Sequence, residues 1–118
     1  MSPNIRTREV QGVSIVALDG PIVFGEESNA LRVKVKSLIA EGKQKIVLNM
    51  KNVAYIDSAG LGMLVAAYLS ANTHGASLCL CHLGPKFQEV LQITKLATVF
   101  PVYGTEAAAV ASFSNRPK

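Results

Sequence analysis

Asp57-Ser58-Ala59-Gly60-Leu61-Gly62 places a carboxylate, a hydroxyl and two glycines side by side. A serine in such a setting can act as a nucleophile or as an acceptor of a phosphate. A nucleophile needs a base and an oxyanion site. The surroundings are Asp-Ser-Ala-Gly and not Gly-x-Ser-x-Gly. Only His74 and His82 could serve as base, and neither has an evident orienting partner in sequence. Gly60-Leu61-Gly62 lacks the third glycine and the Lys-Ser/Thr pair of a nucleotide loop. Cys79 and Cys81 alternate with leucines in a strand-like run, so they share one face and diverge too much for an easy disulfide. They read as buried, reduced thiols. Cys-x-Cys-His matches no common zinc spacing, so no metal and no cofactor is expected.

The acceptor reading has a physical basis. The segment lies where an apolar strand-like stretch hands over to a helical pattern. Asp57 and Ser58 are both good N-caps. A capped helix start alone does not explain two glycines in the first turn, where each costs about 1 kcal/mol relative to alanine. They fit better if something must approach the backbone closely. A hydroxyl at a helix N-terminus is also well placed to carry an anion. Phosphorylation would add roughly −1.5 to −2 charges there, next to Asp57.

The elements that must position this segment can be read from apolar periodicity. Residues 8–18 read as two strands with a hairpin turn at Gly12. Gly20-Pro21 breaks the pattern, and Ile22-Val23-Phe24 follows as a short extended piece. Leu31, Val35, Leu38 and Ile39 form one helical stripe. Glu26 and Glu27 suit its N-terminal end, and Gly42 its C′ position. Lys45–Met50 reads as a buried parallel strand. Asn52–Ile56 reads as a further short extended segment. Leu61, Leu64, Val65, Tyr68 and Leu69 give the next helix, ending near His74-Gly75. Leu78–Cys81 is the next strand. Pro85 suits the first position of a third helix with Phe87, Val90 and Leu91 inward. Thr98–Val102 reads as a last strand and Glu106–Ser112 as a last helix. Alternating strands and helices from residue 42 onward predict an α/β fold with a mostly parallel sheet and an antiparallel early edge.

Composition bounds the rest. The 118 residues suit one domain, and 49% are hydrophobic, enough for a core. No run approaches the ~20 apolar residues of a membrane span and no targeting segment is visible, so a cytoplasmic protein is expected. The net charge of +4 is modest. Arg32, Lys34 and Lys36 cover a solvent-facing arc of one helix. With few aromatics to stack bases, no direct nucleic acid partner is expected. The charge suits an acidic protein partner.

Val53-Ala54-Tyr55-Ile56-Asp57-Ser58-Ala59-Gly60-Leu61-Gly62 resembles the signature of the STAS-domain anti-sigma factor antagonists. Gly20, Ile46-Val47-Leu48-Asn49 and Ile93-Thr94-Lys95-Leu96 follow the same family, over roughly residues 8–112. The resemblance implies one STAS domain over 1–118, with a polar tail at 114–118. It implies a non-enzymatic bacterial regulator of transcription in a stress response. The unphosphorylated antagonist binds an anti-sigma factor that is also a serine kinase, and the sigma factor is freed. The kinase then phosphorylates the serine, here Ser58, and a serine phosphatase restores it. Asp57, Ser58, Ala59, Gly60, Leu61 and Gly62 would form the partner-binding segment, with Asp57 capping the helix or orienting the hydroxyl. Ala59, often Ser or Thr in relatives, leaves Ser58 as the single acceptor of the motif. Pro21-Ile22-Val23 departs from the acidic residue that many members carry after the Gly20 position. The alternative within the family is a STAS scaffold, or a soluble subunit of a signalling complex or transporter, that never meets a kinase.

Overall fold

The computed structural model describes residues 4–20, 26–53 and 55–114. The extended piece at Ile22-Val23-Phe24, the Pro21-Ile22-Val23 departure and residues 115–118 lie outside the described residues. Among the described residues ten elements follow one another: β1 (Asn4–Val10), β2 (Val13–Asp19), α1 (Glu26–Ala40), β3 (Lys45–Asn52), α2 (Ser58–Thr73), β4 (Ser77–Cys81), α3 (Pro85–Ile93), a 3-10 turn (Leu96–Thr98), β5 (Val102–Tyr103) and α4 (Glu106–Ser114).

The five strands lie in the order β1-β2-β3-β4-β5. β1 and β2 are antiparallel, with Val10 opposite Val13. Gln11 and Gly12 turn the chain between them, both at positive φ (52° and 80°). A turn of this kind matches the twist of the flanking strands, and glycine accepts it freely. The remaining pairs are parallel, as the alternation predicts.

The pleat sorts the side chains onto two faces. Val16, Leu18, Ile46, Leu48, Met50, Leu78 and Leu80 point to one face and meet Leu31, Val35, Leu61, Leu64, Phe87 and Leu91 from α1, α2 and α3. Each fully buried leucine or isoleucine contributes about 2 kcal/mol of transfer free energy. Val13, Ile15, Val47, Cys79 and Cys81 point to the other face and meet Ala109, Val110 and Phe113 of α4.

The stripe on α1 is buried as its spacing requires: Leu31, Val35 and Leu38 lie in the core. The helix stops at Gly42, whose φ of +86° leaves the right-handed region. There the Lys43 N–H donates to the Leu38 carbonyl at 3.0 Å and the Gly42 N–H to Ile39 at 3.0 Å. That pair of bonds is the Schellman arrangement, and it satisfies carbonyls the helix leaves open.

Four sequence expectations change. First, β1 begins at Asn4, before residue 8, because the hairpin pairs all the way to Asn4 opposite Asp19. Second, the segment read as extended at Asn52–Ile56 is not one further stretch: Asn52 is the last residue of β3 and Ile56 makes an isolated bridge. Val53 turns back, its N–H donating to the Met50 carbonyl at 3.0 Å. Val53 and Ile56 are both buried, a spacing of three that a pleated strand cannot bury on one face. Third, Thr98–Val102 is not a strand. Lys95 adopts φ 63°, the chain winds through a 3-10 turn, and only Val102 and Tyr103 pair with β4. Phe100 is buried against Tyr68, ring centroids 5.4 Å apart, so its apolar character serves packing and not the sheet. The last helix runs on to Ser114, which the expectation assigned to the tail.

Candidate functional site

β3 is central and delivers the chain to the carboxyl ends of the strands, where α/β folds present their sites. Asp57 then takes an extended conformation, φ −97° and ψ 179°, and α2 starts at Ser58. Asp57 is the N-cap: its Oδ1 accepts the Gly60 N–H at 2.7 Å, and its carbonyl accepts the Leu61 N–H at 2.9 Å. Of the two capping candidates, Asp57 takes the role and Ser58 becomes the first helical residue. Capping by Asp57 leaves Ser58 exposed at the mouth of the helix. The N–H groups of Ser58 and Ala59 have no acceptor within the helix. An oxyanion on Ser58 would meet those donors and the positive end of the helix dipole.

The six residues of the motif divide by burial. Leu61 is 5% exposed and belongs to the core. Gly60 is buried too, with its N–H held by Asp57. Asp57 and Ala59 are half-buried, and Ser58 and Gly62 are exposed. The surface of the helix start is thus its Ser58 and Gly62 side, which Gly60 and Leu61 hold in place. At Gly62 an added Cβ would meet nothing within 4 Å, so internal packing does not call for glycine.

α2 contains no Asp, Glu, Lys or Arg along its 16 residues. Its solvent side carries Ser58, Gly62, Ala66 and Leu69, the last 54% exposed. An uncharged outer face is unusual for a surface helix. Beside the helix start, Tyr55 is 58% exposed and flanks a cavity of about 140 Å³ formed with Ile56, Lys86, Phe87 and Val90. Lys36 is exposed on the neighbouring α1, at a depression shared with Ile39, Ser70 and His74.

The cysteines and histidines do not converge on Ser58. Cys79 and Cys81 are buried under α4, on the other face of the sheet. Burial, then the nearby Glu106 charge, then Cys79 push the Cys81 thiol up to about 12. His74 sits at the far end of α2, its Nδ1 2.8 Å from the Ser70 carbonyl. His82 accepts the Glu106 N–H at Nε2, 3.2 Å away. Among the described residues no group of three metal-ligating side chains occurs, and no helix is long and apolar enough to cross a membrane.

One polar network escaped sequence reasoning. Glu106, at the start of α4, accepts from Asn49 Nδ2 at 3.0 Å and pairs with Arg8. Burial alone would raise its carboxyl. The hydrogen bonds from Asn49 and Arg8, with the charges of Arg8 and His82, outweigh burial and hold it below the usual value. The partners lie far apart in the chain, and no local pattern joins them.

Comparison with known proteins gives a consistent family. The STAS domain profile matches residues 4–109. The chain is 29% identical over 111 residues to an anti-sigma F factor antagonist of Paenibacillus polymyxa, covering 93% of this chain and 94% of the relative. An anti-sigma factor antagonist from Mycobacterium paratuberculosis superposes with a TM-score of 0.85 at 23% identity, covering 96% and 95% of the two chains. The anti-sigma factor antagonist SpoIIAA in its unphosphorylated form superposes with a TM-score of 0.73 at 17% identity, covering 96% of this chain and all of that one. At these identities the two structures speak for the fold.

Proposed function

The chain belongs to the STAS domain family, and we propose that it acts as an anti-sigma factor antagonist switched by a phosphate on Ser58. In this reading the unphosphorylated protein binds an anti-sigma factor that is also a serine kinase, and the sigma factor is released. The observation that carries it is the exposed Ser58 hydroxyl at the first position of a helix whose outer face bears no charge.

The kinase would transfer the γ-phosphoryl group of ATP to Ser58 Oγ. The hydroxyl loses its proton and ADP leaves. The product carries close to two negative charges at one end of an otherwise uncharged face. The helix start tolerates that charge, because free N–H groups and the dipole favour it. The fold is kept and the docked partner is not: a surface complementary to a neutral helix face would have to desolvate the phosphate. Asp57 keeps the helix start in register and adds repulsion toward the phosphate. A serine phosphatase would reset the switch. The protein is then the substrate of the chemistry and performs none itself.

The test uses the purified chain, ATP and the ATP-binding anti-sigma kinases encoded in its own genome. Intact mass should rise by one phosphate, and Ser58→Ala should abolish the rise. Ser58→Asp should bind the kinase more weakly than Ser58→Ala in titration calorimetry. No mass gain with any such kinase would leave the scaffold reading as the better one.

A further inference from the structure

A cavity lies away from Ser58, beside the edge strand of the sheet. It has a volume of about 390 Å³ and opens between the last turns of α1 and the edge strand β1. Its helix wall is Lys34, Leu38 and Glu41, and its strand wall includes Thr7 and Glu9. Ser14 of β2, opposite Glu9 in register, closes the floor.

Ser14 is the anomaly of this site. It is 2% exposed, and its hydroxyl has no hydrogen-bond partner among the described residues. A buried hydroxyl without a partner is costly, and a valine would suit a strand interior better. The charges around it are unevenly matched. Lys43 is paired with Glu9 at 3.1 Å, and Arg8 is engaged with Glu106. Lys34 has no ion-pair partner among the described residues. Glu41 stands two turns along the same helix face and accepts from Ser37 at 3.3 Å. Leu38 lies between them and offers an apolar wall.

We propose that this cavity binds a small carboxylate metabolite that also carries a hydrogen-bond donor, such as a hydroxy acid or an amino acid. The ligand carboxylate pairs with the Lys34 ammonium. Its hydroxyl or ammonium donates toward Glu41, and its short carbon stem lies on Leu38. The Ser14 hydroxyl, in the lining of the same cavity, gains the partner it lacks. A dianion such as phosphate is disfavoured by Glu41 at the rim. The site is independent of the phosphate switch, since it shares no residue with α2.

The experiment is an amide-resonance titration of the whole chain with lactate, glycine, acetate and inorganic phosphate in turn, at constant ionic strength. Lactate or glycine should give saturable shifts at Thr7, Ser14, Lys34 and Leu38. Lys34→Ala should weaken binding about tenfold, the loss expected for one charged hydrogen bond. Ser14→Ala should also weaken it, yet melt no lower than the parent, because its hydroxyl has no protein partner to lose. Ser58→Ala should bind as the parent does. Acetate as tight as lactate and glycine would remove the donor from the proposal. Saturation by phosphate alone, shifts indifferent to Lys34→Ala, or no saturation with any carboxylate would overturn it.

Discussion

The Asp57 carboxylate accepts the Gly60 N–H at 2.7 Å, and this single bond fixes where Ser58 stands. With Asp57 as N-cap, Ser58 is the first helical residue and its hydroxyl is free to face solvent. Asp57→Ala should therefore cost about 1 kcal/mol of stability, the usual worth of an N-cap. Asp57→Asn should recover most of it, since the amide oxygen can accept the same bond. Urea denaturation of the three proteins measures both effects. Equal stability for all three would show that the cap contributes nothing.

Gly62 sets stability against docking. It lies in a helix interior, exposed, with open space where a Cβ would stand. Gly62→Ala should raise stability by about 1 kcal/mol through helix propensity. The same methyl group should weaken binding of an anti-sigma kinase if the partner packs closely on that face. Thermal melting and calorimetry read the two halves separately. A stabilised variant that binds as well as the parent would place the close contact elsewhere.

The Glu106 network predicts an acid-side loss of stability. Its carboxyl is held below the ordinary value of 4.5 in the folded protein. A depressed folded value means that the unfolded chain binds the proton first as pH falls. The contribution is thus complete above the unfolded value and is lost as pH drops through the lower folded one. Glu106→Gln should flatten that part of the stability profile and leave it parallel to the parent above pH 4.5. Denaturant midpoints measured across this range check the slope. A slope unchanged by the substitution would assign it to other carboxylates.

The thiols should be inert while the protein is folded. Cys79 and Cys81 are fully buried, and the Cys81 thiol is pushed up to about 12, so Cys81 holds almost no thiolate at neutral pH. An aromatic disulfide reagent should titrate both only after urea unfolds the chain. Rapid reaction in native buffer would mean that α4 opens readily from the sheet.

Much of the fold was legible because it rests on local regularity. The stripe Leu31, Val35, Leu38 reads as one buried helix face, and Ile46-Val47-Leu48 as a buried strand of a parallel sheet. Gly42 and Pro85 marked helix ends through backbone geometry that needs no neighbours. The reading failed at Thr98–Val102. There Phe100 tucks into the core after a 3-10 turn, and a short apolar run looks alike in either role.

The sequence by itself determined that a serine stands at the start of a helix in an α/β domain, beside a residue able to cap it. It did so because capping and periodicity are properties of neighbours in the chain. Only the tertiary structure decided that Asp57 and not Ser58 is the cap, that Gly60 and Leu61 face inward, and that Gly62 faces out. It alone joined Arg8, Asn49 and Glu106, and left the Ser14 hydroxyl buried without a partner among the described residues. Those relations depend on which face of the sheet each helix covers, and no pattern along the chain records that.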